Sequence, residues 1–378
     1  MKTLLLKLLL FVGGIFSFIV ILSFIPFDAF TFRNWESQLW KSRKRLLRPT
    51  IGYFYPSQTI TRNESGDLGR GSEYEIIKNN ILWKTDKYGF RNDSSQATEY
   101  QVVLVGDSNS VGLGTSQEFI LSTQIGNRLN YKVFNYSPMA IDKYFIKNLN
   151  NMNIKPKTVI YRVIERKIPE IHSDSLYNGN GFKDIIKDKL NMVKYGINKI
   201  FNFDTLLYIA MAVDRFNKKE PARYLESRID SIYRKLRISV IVGHDNELFY
   251  KGSLKINSAT IDDSDIKKIA IELKHINDSL LKLGIDFIFL PVPDKESVYY
   301  ELLPEETKNN FRNRYYLTKL HNELTLLGVR SIDVYSIFRS RFLAGERLYY
   351  SDDTHWNNAG IELASELISE EINHNMGR

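Results

Sequence analysis

The sequence has no cysteine among its 378 residues. Disulfide bonds and thiolate chemistry are therefore excluded as the basis of its stability or its activity. The absence does not assign a compartment, because many bacterial envelope proteins also lack cysteine. Histidine is also scarce, with six residues in the chain, so each one can be considered in turn as a catalytic or metal-binding group.

Internal repeats and low-complexity tracts are also missing. The net charge is a modest +8 and the chain has no nucleic-acid-binding motif, so nucleic acid is not an expected partner. The chain is 43% hydrophobic and 13% aromatic, which is enough for the core of one large or two modest domains.

The most apolar part of the chain is its N-terminus. Lys2 and Lys7 precede an uncharged run at residues 8–25, which spans about 27 Å as a helix and so matches a bilayer core. The bulky residues at 23–27 do not resemble a signal-peptide cleavage site. We therefore predict an uncleaved transmembrane anchor at residues 1–28, with the N-terminus inside and the rest of the chain outside the cytoplasmic membrane. A buried core helix is the alternative.

The remainder divides into a lead-in segment and one domain. Residues 29–83 are predicted to be a juxtamembrane lead-in, and residues 84–378 an α/β domain with a helical insertion at about 172–262. Strands are predicted at residues 101–105, 131–135, 158–163, 286–292 and 331–334, and helices at 118–129, 266–283, 307–327 and 358–368. This alternation favours a three-layer, doubly wound, mostly parallel sheet.

A serine follows the first of these strands, in the tripeptide Gly106-Asp107-Ser108. A strand that breaks at a glycine and delivers a serine to the sheet edge is a common way to present a nucleophile. The start of the following helix supplies N–H groups for a developing oxyanion. The alternative is that Ser108 is a helix N-cap.

A second polar motif lies near the C-terminus and contains Asp352, Asp353 and His355. The two carboxylates can hold an imidazole in one tautomer and stabilise its protonated form, so His355 is the candidate base for Ser108. The other five histidines do not lie in such a pattern. A structural histidine, or a metal site made by these three residues, is the alternative.

The two motifs, in this order, resemble those of the SGNH/GDSL hydrolase superfamily. The nucleophile block is at residues 103–108, the acid-and-base block at 353–357 with Gly360, and residues 87–92 are similar to a segment that often precedes the first block. Residues 291–299 and the Asp-Thr-His-Trp-Asn run resemble the SGNH-like domains of alginate and other polysaccharide O-acetyltransferases. The resemblance covers about residues 84–168 and 264–370, and it implies a flavodoxin-like SGNH fold.

By this resemblance Ser108 is the nucleophile and His355 the base. The acid is a choice between two neighbours. The hydrolase spacing selects Asp352, whereas the spacing of the acetyltransferase-like relatives selects Asp353, which we prefer because of the residues around it.

Two blocks depart from the hydrolase pattern. Residues 135–140 lack the oxyanion glycine, so a backbone N–H near Ser137 or Ala140 is expected to serve. Residues 163–166 replace Gly-x-Asn-Asp, and Arg166 is the substitute for the missing asparagine amide. The alternative for Arg166 is a structural ion pair with Glu165.

We therefore predict a membrane-anchored envelope enzyme that O-acetylates a polysaccharide through a Ser-His-Asp acyl-enzyme, without a cofactor. The alternatives are a carbohydrate esterase of the same fold, and a non-catalytic glycan-binding or assembly protein with a degenerate SGNH fold. The chain has no CoA-binding signature. Because acetyl-CoA does not occur outside the cytoplasm, the resemblance implies a multi-spanning membrane protein as the acyl donor.

Overall fold

The computed structural model describes residues 50–54, 56–69, 72–93, 99–171, 240–257, 261–311 and 315–376, and isolated helical positions between residues 4 and 17. Thr50–Asp184 and Ile238–Arg378 form one compact unit, and Met1–Pro49 with Ile185–Arg237 form a second. Most of the predicted anchor and of the predicted insertion lies outside the described residues. Among the residues that are described, no helix is both long enough and apolar enough to cross a membrane.

The compact unit alternates strands and helices. Its strands are β1 (Thr59–Ser65), β2 (Ile77–Lys84), β3 (Val102–Val105), β4 (Val133–Asn135), β5 (Thr158–Ile164), β6 (Val240–Val242), β7 (Leu248–Tyr250) and β8 (Asp286–Val292). Its helices are α1 (Ser108–Val111), α2 (Leu121–Leu129), α3 (Phe145–Asn151), α4 (Lys251–Asn257), α5 (Asp263–Leu281), α6 (Lys295–Val298), α7 (Glu305–Lys308), α8 (Tyr316–Leu326), α9 (Val334–Leu343) and α10 (Asn358–Met376).

Four of the strands form the central sheet, in the spatial order β4-β3-β5-β8, and every neighbouring pair is parallel. Within this sheet the first strand, β3, is an inner one, and the next, β4, lies at one edge. The chain then crosses over β3 to form β5 and the other edge strand, β8. Such a doubly wound order creates a crevice at the carboxyl ends of the inner strands, which is where ligands bind in open α/β sheets.

Both faces of this sheet are covered, so its strands are apolar without alternation. Val103 and Val105 pack into one core with α5 and α8. Val102 and Leu104 pack into the other core with α2, α9 and α10. The result is a helix–sheet–helix sandwich, and the predicted α/β class is confirmed.

The structure differs from the predicted elements at the far edge of the sheet. The strand predicted at residues 331–334 is reduced to a single parallel bridge between Phe289 and Ser331. Helix α9 begins there instead, because the Asp333 carboxylate accepts a hydrogen bond from the Ser336 N–H at 3.1 Å and caps the helix. The helix predicted at 307–327 is two shorter helices, α7 and α8.

Two antiparallel pairs stand outside the central sheet. Strands β1 and β2 form a hairpin from the predicted lead-in segment, which belongs to the same compact unit as the sheet from Thr50 onwards. Strands β6 and β7 form the second pair, from the described end of the predicted insertion. Both pairs contribute residues to the site described next.

Candidate active site

Ser108 lies where β3 ends and the chain turns into α1. Asp107 is the N-cap of this helix, since its carboxylate accepts a hydrogen bond from the Asn109 N–H at 2.9 Å. The alternative that Ser108 caps the helix is therefore wrong. Gly106 has no room for a side chain, because a Cβ there would lie 2.2 Å from the Ser110 Oγ and 3.0 Å from the Arg162 carbonyl oxygen. The tight turn leaves the Ser108 side chain half-buried.

The structure brings Ser108 and His355 together across 247 residues of sequence. The Ser108 Oγ lies 3.2 Å from His355 Nε2, and His355 Nδ1 lies 2.5 Å from Asp353 Oδ1. His355 and Asp353 are buried. One ring nitrogen thus faces a hydroxyl and the other a carboxylate, which is the arrangement that lets an imidazole activate a serine.

Asp353 is held as an anion. Its Oδ1 also accepts a hydrogen bond from the His355 backbone N–H at 3.1 Å, and its Oδ2 lies 3.4 Å from Lys78 Nζ. Burial alone raises the pKa of the Asp353 carboxyl, but His355 and Lys78 outweigh burial and hold that pKa well below its usual range. The carboxylate is therefore ready to orient and stabilise the imidazole.

Asp352, the alternative acid, binds a different part of the molecule. Its Oδ2 accepts hydrogen bonds from the backbone N–H groups of Gly66 at 3.0 Å and Ile76 at 2.9 Å. Its carbonyl oxygen accepts two more N–H groups, from Leu68 and Gly69. Asp352 thus fastens the loop between β1 and β2 and makes no described contact with the imidazole.

Residues 240–377 match a protein family described as SGNH hydrolase-like domain, acetyltransferase AlgX. The predicted resemblance to the SGNH-like domains of polysaccharide O-acetyltransferases is thereby confirmed. The matched range contains Asp353 and His355 but not Ser108. No curated protein and no solved structure matches the chain.

A further carboxylate lies near the imidazole, and the sequence motifs did not indicate it. Asp67 accepts hydrogen bonds from the Thr354 N–H at 2.9 Å and from its hydroxyl at 2.8 Å, and its Oδ2 lies 3.9 Å from His355 Nδ1. Donor atoms of Asp67, Asp353 and His355 lie within 4.8 Å of one another, a spacing that suits a metal ion. The Lys78 ammonium already balances charge at Asp353.

The loop after β4 contains the two predicted N–H donors for an oxyanion. The Ser137 N–H is engaged, because it donates to the Asn135 side-chain oxygen at 3.1 Å. Met139 forms an isolated antiparallel bridge with Gly106. This bridge brings the loop after β4 against the turn that carries Ser108.

Arg166 is bound in an ion pair, although not with the predicted neighbour. Its guanidinium and its backbone N–H both donate to the buried carboxylate of Asp294. Glu165 instead accepts the Asp294 N–H, at 2.9 Å. Burial lowers the pKa of Arg166, but the Asp294 charge outweighs burial and raises that pKa above its ordinary value. This pairing gives Arg166 a structural partner.

Arg162 links the motif that contains Ser108 to the motif that contains His355, and sequence reasoning missed it. It is fully buried in β5, its Nη1 lies 2.6 Å from Asp107 Oδ1, and its Cζ lies 4.7 Å from the centre of the Trp356 ring. It therefore contacts the residue before Ser108 and the residue after His355. An arginine inside an otherwise apolar strand was the available signal, because a buried charge needs a partner.

Lys295 was also missed, and it supports the loop that carries His355. Its buried ammonium donates to the carbonyl oxygens of Leu248 at 3.0 Å, Tyr350 at 2.8 Å and Ser351 at 2.9 Å, and lies 2.6 Å from a Glu247 carboxylate oxygen. These contacts join β7 to the start of the loop. No spacing in the sequence indicates such a contact.

Proposed function

We propose that this protein is an SGNH-type O-acyltransferase that acetylates an exported or cell-surface polysaccharide through a serine acyl-enzyme. One observation carries the proposal: the hydrogen-bonded line from Ser108 through His355 to Asp353, with distances of 3.2 and 2.5 Å. The similarity of residues 240–377 to the SGNH hydrolase-like domain of the acetyltransferase AlgX supports the reaction class.

In the first half-reaction, His355 Nε2 takes the hydroxyl proton as the Ser108 Oγ attacks the acyl carbonyl carbon. Asp353 stabilises the imidazolium that forms. The tetrahedral oxyanion accepts hydrogen bonds from the backbone N–H groups of Ser108 and Ala140. When this intermediate collapses, the leaving group of the donor takes the proton from His355, and the acetyl group stays on Ser108 as an ester.

In the second half-reaction, His355 removes a proton from a sugar hydroxyl as its oxygen attacks the ester carbonyl. The new tetrahedral intermediate releases Ser108, which regains its proton from the imidazolium. Water in place of the sugar would yield free acetate, and the protein would then be a carbohydrate esterase. The two activities share every residue and differ in the acceptor that reaches the ester.

The cellular part of the proposal rests on the sequence. The uncharged run at residues 8–25, with Lys2 and Lys7 before it, supports a single-pass anchor in the cytoplasmic membrane and an extracytoplasmic SGNH-like domain. Acetyl-CoA does not occur outside the cytoplasm. We therefore propose a multi-spanning membrane protein as the acyl donor.

The test uses the full-length protein and a chromogenic acetyl ester. We expect intact-mass measurement to show one acetyl adduct that maps to Ser108. The Ser108→Ala variant should lack the adduct and lose about 10⁴- to 10⁶-fold in acyl release while keeping its thermal stability. The control is Ser110→Ala, in the same helix, whose buried hydroxyl has no hydrogen-bond partner among the described residues; it should keep the activity.

An oligosaccharide acceptor then separates the alternatives. Acetylated sugar identifies a transferase, and acetate alone identifies an esterase. An unmodified Ser108, together with no difference between wild type and Ser108→Ala, would contradict both enzymes and favour a non-catalytic glycan-binding protein.

A further inference from the structure

The candidate active site contains a cation that the mechanism above does not use. Lys78, in β2, has its Nζ 3.4 Å from Asp353 Oδ2 and 3.5 Å from the centre of the Tyr350 ring. Its side chain is 10% exposed. A Cβ on Gly114 would lie 2.7 Å from the same Nζ, so the ammonium is enclosed on that side as well. Lys78 is therefore an ordered part of the site.

The β1–β2 hairpin that carries Lys78 is fastened to the loop that carries His355. The Asp352 carboxylate accepts N–H groups from Gly66 and Ile76, which lie on either side of the loop between β1 and β2. In return, Asp67 of that loop accepts two hydrogen bonds from Thr354. Hydrogen bonds from each segment to the other thus hold the hairpin with Lys78 against the loop with Asp353.

The charges around the imidazole are mostly negative. Asp67 lies 3.9 Å from His355 Nδ1, and Asp353 lies 2.5 Å from it. Other titratable or charged groups near this region are Lys78 of β2, Glu64 of β1, Asp107 and Ser108 at the start of α1, Arg162 of β5, Lys295 of α6, and Tyr350 and Asp352 of the same loop. Of the three cations, Lys295 is paired with Glu247 and Arg162 with Asp107.

An imidazole between carboxylates favours its protonated form, because each negative charge stabilises the imidazolium. A histidine that is already protonated cannot accept the proton of a serine. An ammonium on the far oxygen of Asp353 offsets part of this negative charge. It also holds the carboxylate in the plane and orientation in which Oδ1 meets His355 Nδ1.

We propose that Lys78 is a positioning residue of the active site, which orients Asp353 against His355 Nδ1 and offsets part of the negative charge beside the imidazole. This inference rests on the proposed function of the same site. The β1–β2 hairpin would then contribute a residue to the active site, although none of the sequence motifs includes it.

The experiment compares pH–rate profiles of ester cleavage by the full-length protein. In Lys78→Met and Lys78→Gln, we expect the acid limb of the pH–rate profile to move to higher pH by about one unit. The rate of ester cleavage then falls about tenfold on the acid side of the limb and returns to the wild-type rate on the alkaline side. Lys78→Arg, which keeps the charge, should restore the wild-type profile. Lys84→Met is the control, because Lys84 lies in the same strand and pairs with Asp93 instead.

A second measurement does not depend on catalysis. The His355 ring is titrated by NMR in a Ser108→Ala background, with and without Lys78→Gln. A midpoint that moves to higher pH without the ammonium supports the proposal, even if wild type proves inactive and the proposed function fails. An unmoved midpoint, or an equal loss of rate at every pH, overturns it and leaves Lys78 a merely structural role.

Discussion

Two groups of polar and charged side chains lie at the carboxyl edge of the sheet, and they differ in whether a reactive group remains accessible. The serine–histidine chain consists of Ser108, His355, Asp353 and Lys78. The buried ion cluster consists of Glu165, Arg166, Asp294 and Glu296. Both combine carboxylates with a cation, and both contain strongly shifted pKa values.

The groups of the buried ion cluster bind one another. Asp294 binds Arg166, and Glu165 binds the Asp294 N–H. Burial raises the pKa of Glu165 to about 8 and that of Glu296 to about 7, with the Asp294 charge as the second cause in each. The serine–histidine chain instead ends at the half-buried hydroxyl of Ser108. A shifted pKa is therefore common to both groups, and the aligned, reachable hydroxyl is what distinguishes the candidate active site.

The largest expected effect comes from breaking the serine–histidine chain at its acid. Asp353→Asn should lower kcat about 10⁴-fold, because an amide can favour the wrong imidazole tautomer and does not stabilise the imidazolium. Steady-state ester cleavage measures it. Asp352→Asn is the matched control: kcat should change less than about tenfold, while the free energy of unfolding falls by about 1–3 kcal/mol as two backbone N–H groups lose a charged acceptor. The reverse ranking in kcat would make Asp352 the acid.

The next effect comes from breaking the buried ion cluster at its cation. Arg166→Met should lower the free energy of unfolding by about 3–5 kcal/mol, since it leaves Asp294 buried and unpaired. The kcat of the folded protein should change less than about tenfold. Urea unfolding and ester cleavage measure the two quantities.

The control for this change is Arg330→Met, whose pair with Glu371 is partly exposed and should contribute less than about 1 kcal/mol. If Arg166→Met instead loses 10²- to 10³-fold in kcat and keeps its stability, the guanidinium holds the oxyanion, as the sequence suggested.

The difference between the two groups also shows what sequence can predict. Strands β3, β5 and β8 and the nucleophile and base candidates follow from local patterns, because an apolar run or a short motif is contiguous in the chain. Lys78 and Asp67 could not be found that way. Each meets the His355 loop across 275 residues or more, and neither lies in a motif.

Other errors have local causes. The strand predicted at residues 331–334 is wrong, because Asp333 caps a helix where an apolar run favoured a strand. Glu165 was a reasonable partner for its neighbour Arg166, but Asp294, 128 residues away, has the better geometry. Arg162 left a readable signal, since a charge in a buried strand requires a partner.

The smallest expected effect tests whether the buried ion cluster is neutralised by protonation. The pKa of Glu165 is raised from 4.5 to about 8 in the folded protein. Between these values the folded state holds a proton that the unfolded state has lost, so stability falls as pH rises through this window. Glu165→Gln mimics the protonated side chain and should flatten this slope, with a gain of about 1–2 kcal/mol over wild type at the alkaline end.

Urea unfolding at a series of pH values measures this slope. Glu305→Gln is the control, because Lys308 lowers the pKa of the exposed Glu305 and takes its titration out of the window. An unchanged slope in Glu165→Gln would mean that Glu165 is ionised in the folded protein. The carboxylates of Glu165 and Asp294 would then outnumber the single guanidinium of Arg166, and the cluster would carry a net negative charge near Asp107 and the nucleophile turn. Such a field would oppose the formation of an oxyanion, so neutrality of the cluster is also a condition for the proposed chemistry at Ser108.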